Sequence, residues 1–183
     1  MMRVGFFFAV GVLAALGSGV GPSTARAESS PFRLHVQGHM GSGGALDIDV
    51  PWDSDKRRSP FNFTADACDD ISLERLRWAW AALRKAPEGR TVTIETRSES
   101  IRASRGGGYL VLEPRHRDGQ DDHHSRVKIP DYIVNAILDH DGRLTDRDLE
   151  RLVRERGKVT LVKVNSDVGG VSVWMDRTDD RHD

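Results

Sequence analysis

Apolar and polar residues alternate with a period of two in eight short segments, and between some of these the period lengthens to that of a helix. Leu34-x-Val36 alternates, and Leu46-x-Ile48-x-Val50 does so with Asp47 and Asp49 on the opposite face until Pro51 ends the run. The Gly-rich link from His39 to Gly44 makes these two strands a hairpin. Val92-x-Ile94 and Ile101-x-Ala103 predict a second hairpin turning through Arg97 to Ser100. Gly106-Gly107-Gly108 then leads into the strand Tyr109 to Leu112, which Pro114 closes. Val127-x-Ile129-Pro130 follows the polar loop Arg115 to Arg126. Val159 to Val164 and Val171 to Met175 predict the last hairpin, turning through Asn165 to Gly170.

Three stretches carry the helical period. Ser72 caps the first, whose apolar face is Leu73, Leu76, Ala79, Trp80 and Leu83, and Pro87 and Gly89 stop it. Stepping about 100° per residue sets Trp78 roughly 160° from Trp80, on the polar side. Asp131 to Leu138 predicts a short helix opened by Pro130, with Ile133, Val134 and Ile137 inward. Thr145 caps a third that ends near Gly157, with Asp146 and Asp148 in its first turn and Leu149, Leu152 and Val153 as its stripe.

The landmarks recur. Val50-Pro51, Ser72, Val92-x-Ile94 and Ile101-x-Ala103 are echoed by Ile129-Pro130, Thr145, Val162-x-Val164 and Val171-x-Val173, at offsets that shrink from 79 to 70 residues. Such self-similarity predicts a duplicated unit. The expected fold class is α+β: tandem strand-strand-helix-strand-strand units over residues 28–105 and 106–176, with antiparallel sheets and helices on one face. A charged tail, 177–183, is expected to fray.

The N-terminus changes the picture of where the chain works. Arg3, the apolar run Val4 to Leu16 and Ala25-Arg26-Ala27 together form the pattern of a cleaved export signal over residues 1–27, so the mature chain begins at Glu28. After cleavage no stable membrane insertion is expected, because the apolar run is short for a span. Of 27 basic and 28 acidic residues the signal removes Arg3 and Arg26, leaving 25 − 28 = −3. A near-neutral chain has no global field to hold nucleic acid. Cys68 is the single cysteine, so no internal disulfide forms, and its neighbours Asp66, Asp69 and Asp70 disfavour a reactive thiolate.

Candidate chemistry is sparse. Asp139 to Asp148 approximates a calcium loop when Gly142 takes the sixth position, which makes Asp139, Asp141 and Asp148 ligands. Ile137 then falls on the first position, which it cannot serve, so a Thr145-capped helix is the favoured reading of the same residues. The loop holding His116, His123 and His124 with Asp118, Asp121 and Asp122 could hold a transition metal. Gly41-Ser42-Gly43 lies between two strands, the wrong context for a nucleophile elbow. No phosphate loop, dinucleotide fingerprint or paired-Cys motif is present, and no cofactor is expected. Trp78 is the candidate interaction residue, facing either the other unit or a protein partner. A hydrolase with an unrecognised carboxylate pair is the remaining catalytic alternative.

Val127-Lys128-Ile129-Pro130, a short helix, an acidic linker, a Leu-rich helix and a hairpin ending Val171-Ser172-Val173-Trp174 resemble an uncharacterised bacterial module found in SHOCT-like or LiaX-like small proteins linked to envelope stress. The likeness covers residues 126–176 best and residues 32–104 more faintly. It implies an α+β fold and a role near the cell envelope, and it carries over no functional residue. The expectation is therefore an exported, periplasmic or extracellular, non-enzymatic binding protein whose partner is a protein or an envelope component.

Overall fold

A computed structural model describes residues 31–41, 43–52, 73–95, 99–116, 125–142 and 144–178. Residues 1–30 with the expected export signal, residues 53–72 with Cys68 and Ser72, residues 117–124 with His123 and His124, and those beyond Thr178 lie outside them. Eight strands and three helices follow in chain order: β1 (Phe32–Met40), β2 (Ala45–Trp52), α1 (Leu73–Lys85), β3 (Thr91–Glu95), β4 (Glu99–Gly106), β5 (Tyr109–His116), β6 (Ser125–Pro130), α2 (Asp131–Asp139), α3 (Asp146–Arg156), β7 (Val159–Ser166) and β8 (Gly169–Arg177).

The strands form one antiparallel sheet in the order β2-β1-β8-β7-β6-β5-β4-β3. The duplication was expected to give two similar small domains or one pseudo-symmetric one; separate sheets are not formed, because β8 pairs with β1 and β4 pairs with β5 to make a single sheet. Joining them removes two raw edges that separate sheets would expose. β5 runs past Pro114 to His116, because the β5–β6 ladder ends at Leu112 and a proline beyond it needs no amide on that side. Arg177, expected in the frayed tail, pairs with Phe32, and the Thr178 amide donates to the Pro31 carbonyl at 2.9 Å.

Two turns demand glycine. Gly107 and Gly108 have φ of 59° and 79°, the doubly left-handed backbone of a tight hairpin. Gly169 opens β8 against β1, and a Cβ there would run into the His39 carbonyl oxygen.

Period-two alternation puts Phe32, Leu34, Val36, Val127, Val173 and Met175 on the same side of the sheet, and α2 and α3 pack over them with Ile133, Leu149, Leu152 and Val153. A second cluster joins Ala79, Trp80 and Leu83 of α1 to Ile94, Ile101, Ala103 and Leu110. α2 belongs to both: Ile133 and Ala136 enter the first cluster, Val134 and Leu138 the second. Polar contacts lock this helix in place. Trp80 Nε1 donates to Asn135 Oδ1 at 2.9 Å, and Tyr132 Oη donates to the Thr160 carbonyl at 3.0 Å. The Arg156 guanidinium lies 4.3 Å over the Tyr132 ring. Burial raises the Tyr132 pKa, and the Arg156 charge partly offsets that.

α3 starts on a full capping box: the Thr145 hydroxyl accepts from the Asp148 amide, and the Asp148 carboxylate reaches back to the Thr145 amide. Gly157, at φ 74°, ends it. Leu149→Ala, at a side chain with 0% exposure, is expected to cost about 2–5 kcal/mol in urea unfolding. Thr145→Ala is expected to cost about 1 kcal/mol by the same measurement. Equal losses from the two would contradict this division between core and cap.

Candidate binding face

The strand registers that send the apolar residues to the helices send their neighbours to the other face, which no described helix covers. Across the strands from β3 to β2, one row of that face reads Thr91, Ser104, Val111, Lys128, Lys163, Ser172, Gln37 and Asp47. Beside it run Thr93, Arg102, Glu113, Arg126 and Asn165. On the other flank Trp174, His35 and Asp49 lie in adjacent strands.

The face is polarised. Over β4 to β7 the cations are Arg102, Arg115, Arg126, Lys128 and Lys163, against the single acid Glu113. Glu113 is already engaged: Arg126 Nη2 stands 2.6 Å from its Oε1. Lys128 and Lys163 are directly opposed across β6 and β7, both half-buried. Lys163 Nζ sits 5.9 Å from the centre of the Tyr109 ring.

The opposite end is acidic and built around one histidine. His35 is 5% exposed, although it points away from the helix layer. Its Nε2 lies 2.9 Å from Asp176 Oδ1 and its Nδ1 3.7 Å from Asp49 Oδ1. The ring stacks on Trp174 at 5.1 Å and 10°, and Lys158 Nζ lies 4.4 Å from the Trp174 ring. Arg33 Nε holds Asp49 at 2.6 Å. Both imidazole nitrogens thus face carboxylates, and the ring joins β2, β1 and β8 as a stitch.

The residues singled out in the sequence are scattered. Asp148 is buried in the capping box and also meets His140 Nε2 and Arg151 Nη2, each at 3.2 Å. Asp141, in the left-handed region at φ 52°, accepts from Arg77 at 2.9 Å. Asp139 ends α2. His116 ends β5, while His123 and His124 lie outside the described residues. Among the described residues no group of three His, Cys, Asp or Glu side chains is placed to hold a metal ion. Trp78 is 67% exposed on α1, on the side away from the core. His35, Lys128 and Lys163 were missed. Each sits at the unread position of an apolar pair (Leu34-x-Val36, Val127-x-Ile129, Val162-x-Val164), where alternation assigns a face but no neighbour.

No family model, curated protein or solved structure matches the chain. Among the described residues no helix is long and apolar enough to cross a membrane.

His35→Phe keeps the ring against Trp174 but leaves Asp176 without its imidazole. A loss of about 1–3 kcal/mol is expected in urea unfolding at neutral pH. A change within about 0.5 kcal/mol would remove the stitch from the account.

Proposed function

We propose that this protein is an exported, non-enzymatic binding protein whose uncovered sheet face takes a component of the cell envelope. The observation that carries the reading is that face itself: a broad polar surface with cations gathered over β4 to β7 and the acids Asp47, Asp49 and Asp176 on β2 and β8. His35 is the group that would suit acid–base chemistry, and it is committed to packing between Asp176, Asp49 and Trp174. The N-terminal Arg3, apolar run and Ala25-x-Ala27 support export, to the periplasm or beyond the cell. The likeness of residues 126–176 to the envelope-stress module supports an envelope role. Trp78, on the helix layer, offers a separate contact to a protein partner.

The test is cell fractionation combined with a photo-crosslinking residue at Ser172, on the open face. Recovery outside the cytoplasm and crosslinks from Ser172 to envelope material are expected. A cytoplasmic protein, or an exported one that gives no adduct from Ser172, would defeat the proposal.

The duplication is a finer part of the same reading. β1 to β4 would correspond to β5 to β8. The strand order is consistent with this, because each strand neighbours its sequence neighbours and β8 neighbours β1; only β2 and β3, the two edges, do not meet. The β4–β5 junction then has its counterpart where β8 meets β1 and Thr178 bonds Pro31. A circular permutant joining 178 to 31 and opened at Gly107 is accordingly expected to keep the parent circular-dichroism spectrum and to melt within about 4 °C of the parent, a cost near 1 kcal/mol. An unfolded permutant would count against equivalent junctions.

A further inference from the structure

Lys128 and Lys163 stand directly opposite each other in β6 and β7. Opposed residues in an antiparallel pair have Cβ atoms about 5 Å apart, and like charges placed so destabilise the sheet. Neither lysine has an acidic partner among the described residues; the one recorded contact of the pair is that of Lys163 with the Tyr109 ring. Among the described residues the acid close by on the surrounding strands is Glu113, and it is held by Arg126. Two half-buried lysines opposite each other, with no acidic partner among the described residues, are a cost to the fold that a bound dianion would relieve.

The row they belong to indicates what carries the anion. Ser172 and Gln37 lie on one side of the pair, and beyond Val111 on the other lie Ser104 and Thr91. These are neutral hydroxyl and amide groups, each able to donate to and accept from hydroxyls. Arg102 and Arg126 border the row and add positive potential. Two adjacent cations match one group with a charge near −2, which a phosphomonoester carries at neutral pH and a carboxylate or phosphodiester does not. Lysine is suited to such a site as a compact point charge.

Resting on the binding-face reading above, we propose that Lys128 and Lys163 form a site for a phosphomonoester borne on a sugar, with Ser172, next to Lys163 on β8, to meet the sugar hydroxyls. The lysine pair is then retained for binding at some expense to stability.

The test titrates the mature protein with glucose 6-phosphate, glucuronate and glucose by calorimetry at low salt. Glucose 6-phosphate is expected to bind, glucuronate to bind at least tenfold more weakly, and glucose not to bind. Lys128→Gln and Lys163→Gln should each weaken glucose 6-phosphate binding by about 10- to 100-fold, the loss of one charge-assisted hydrogen bond. Arg84→Gln, on the helix layer, should leave binding unchanged. Binding should also fade as pH drops below about 6, where the phosphate takes up its second proton. Independently of any ligand, Lys163→Gln should raise the melting temperature by about 2 °C or more. Equal binding of glucuronate, unaltered binding by both lysine variants, or a lower melting temperature for Lys163→Gln would overturn the assignment. If no sugar phosphate binds while Ser172 still crosslinks to the envelope, the ligand class fails and the binding face stands; loss of both defeats both.

Discussion

Three helices must cover one side of an eight-stranded antiparallel sheet, and the other side must meet water or a partner. Seven inter-strand spacings of about 4.8 Å make the sheet roughly 34 Å wide, and three helices packed about 10 Å apart span nearly the same width. The layer is therefore complete only if all three helices lie on the same side. The buried apolar residues of the strands point that way, leaving Tyr109, Val111 and Trp174 on the other side, and the largely polar character of the opposite face follows from this constraint.

The layer holds together at its middle helix. α1 covers the β3–β4–β5 end, α3 covers β7 and β8, and α2 lies between with side chains in both apolar clusters. A helix of nine residues has little stability of its own. Pro130 opens it, the Tyr132 hydroxyl ties it to β7, and Asn135 receives the Trp80 indole from α1. Those contacts turn two helix–sheet sandwiches into one.

The open face departs from a solvated surface in two places. At one end a histidine is buried against two carboxylates and an indole, where a neutral hydroxyl side chain would have served a simple outer strand position. At the centre two lysines face each other without a counterion among the described residues. Local choices that oppose the fold while the rest of the chain supports it are where function is to be sought. This contrast between a consistent inner face and an inconsistent outer one supports placing the binding role on the strands and not in a cleft.

Much of this was legible in the residues alone. Each described strand and helix follows from its period, and Thr145, Gly157, Gly107 and Gly108 mark ends that local backbone geometry dictates. The position of Trp78 on the outside of its helix also follows from 100° steps. Such features depend on neighbours within a few residues, so a sequence determines them directly. The pairing of β8 with β1, the continuity of one sheet, and the meeting of His35 with Asp176 or of Lys128 with Lys163 join residues up to 145 positions apart. Alternation says that a side chain points outward, but it is silent on which strand lies alongside and in what register. That choice is made by burying all the apolar faces together under one helix layer, and only the tertiary structure records it.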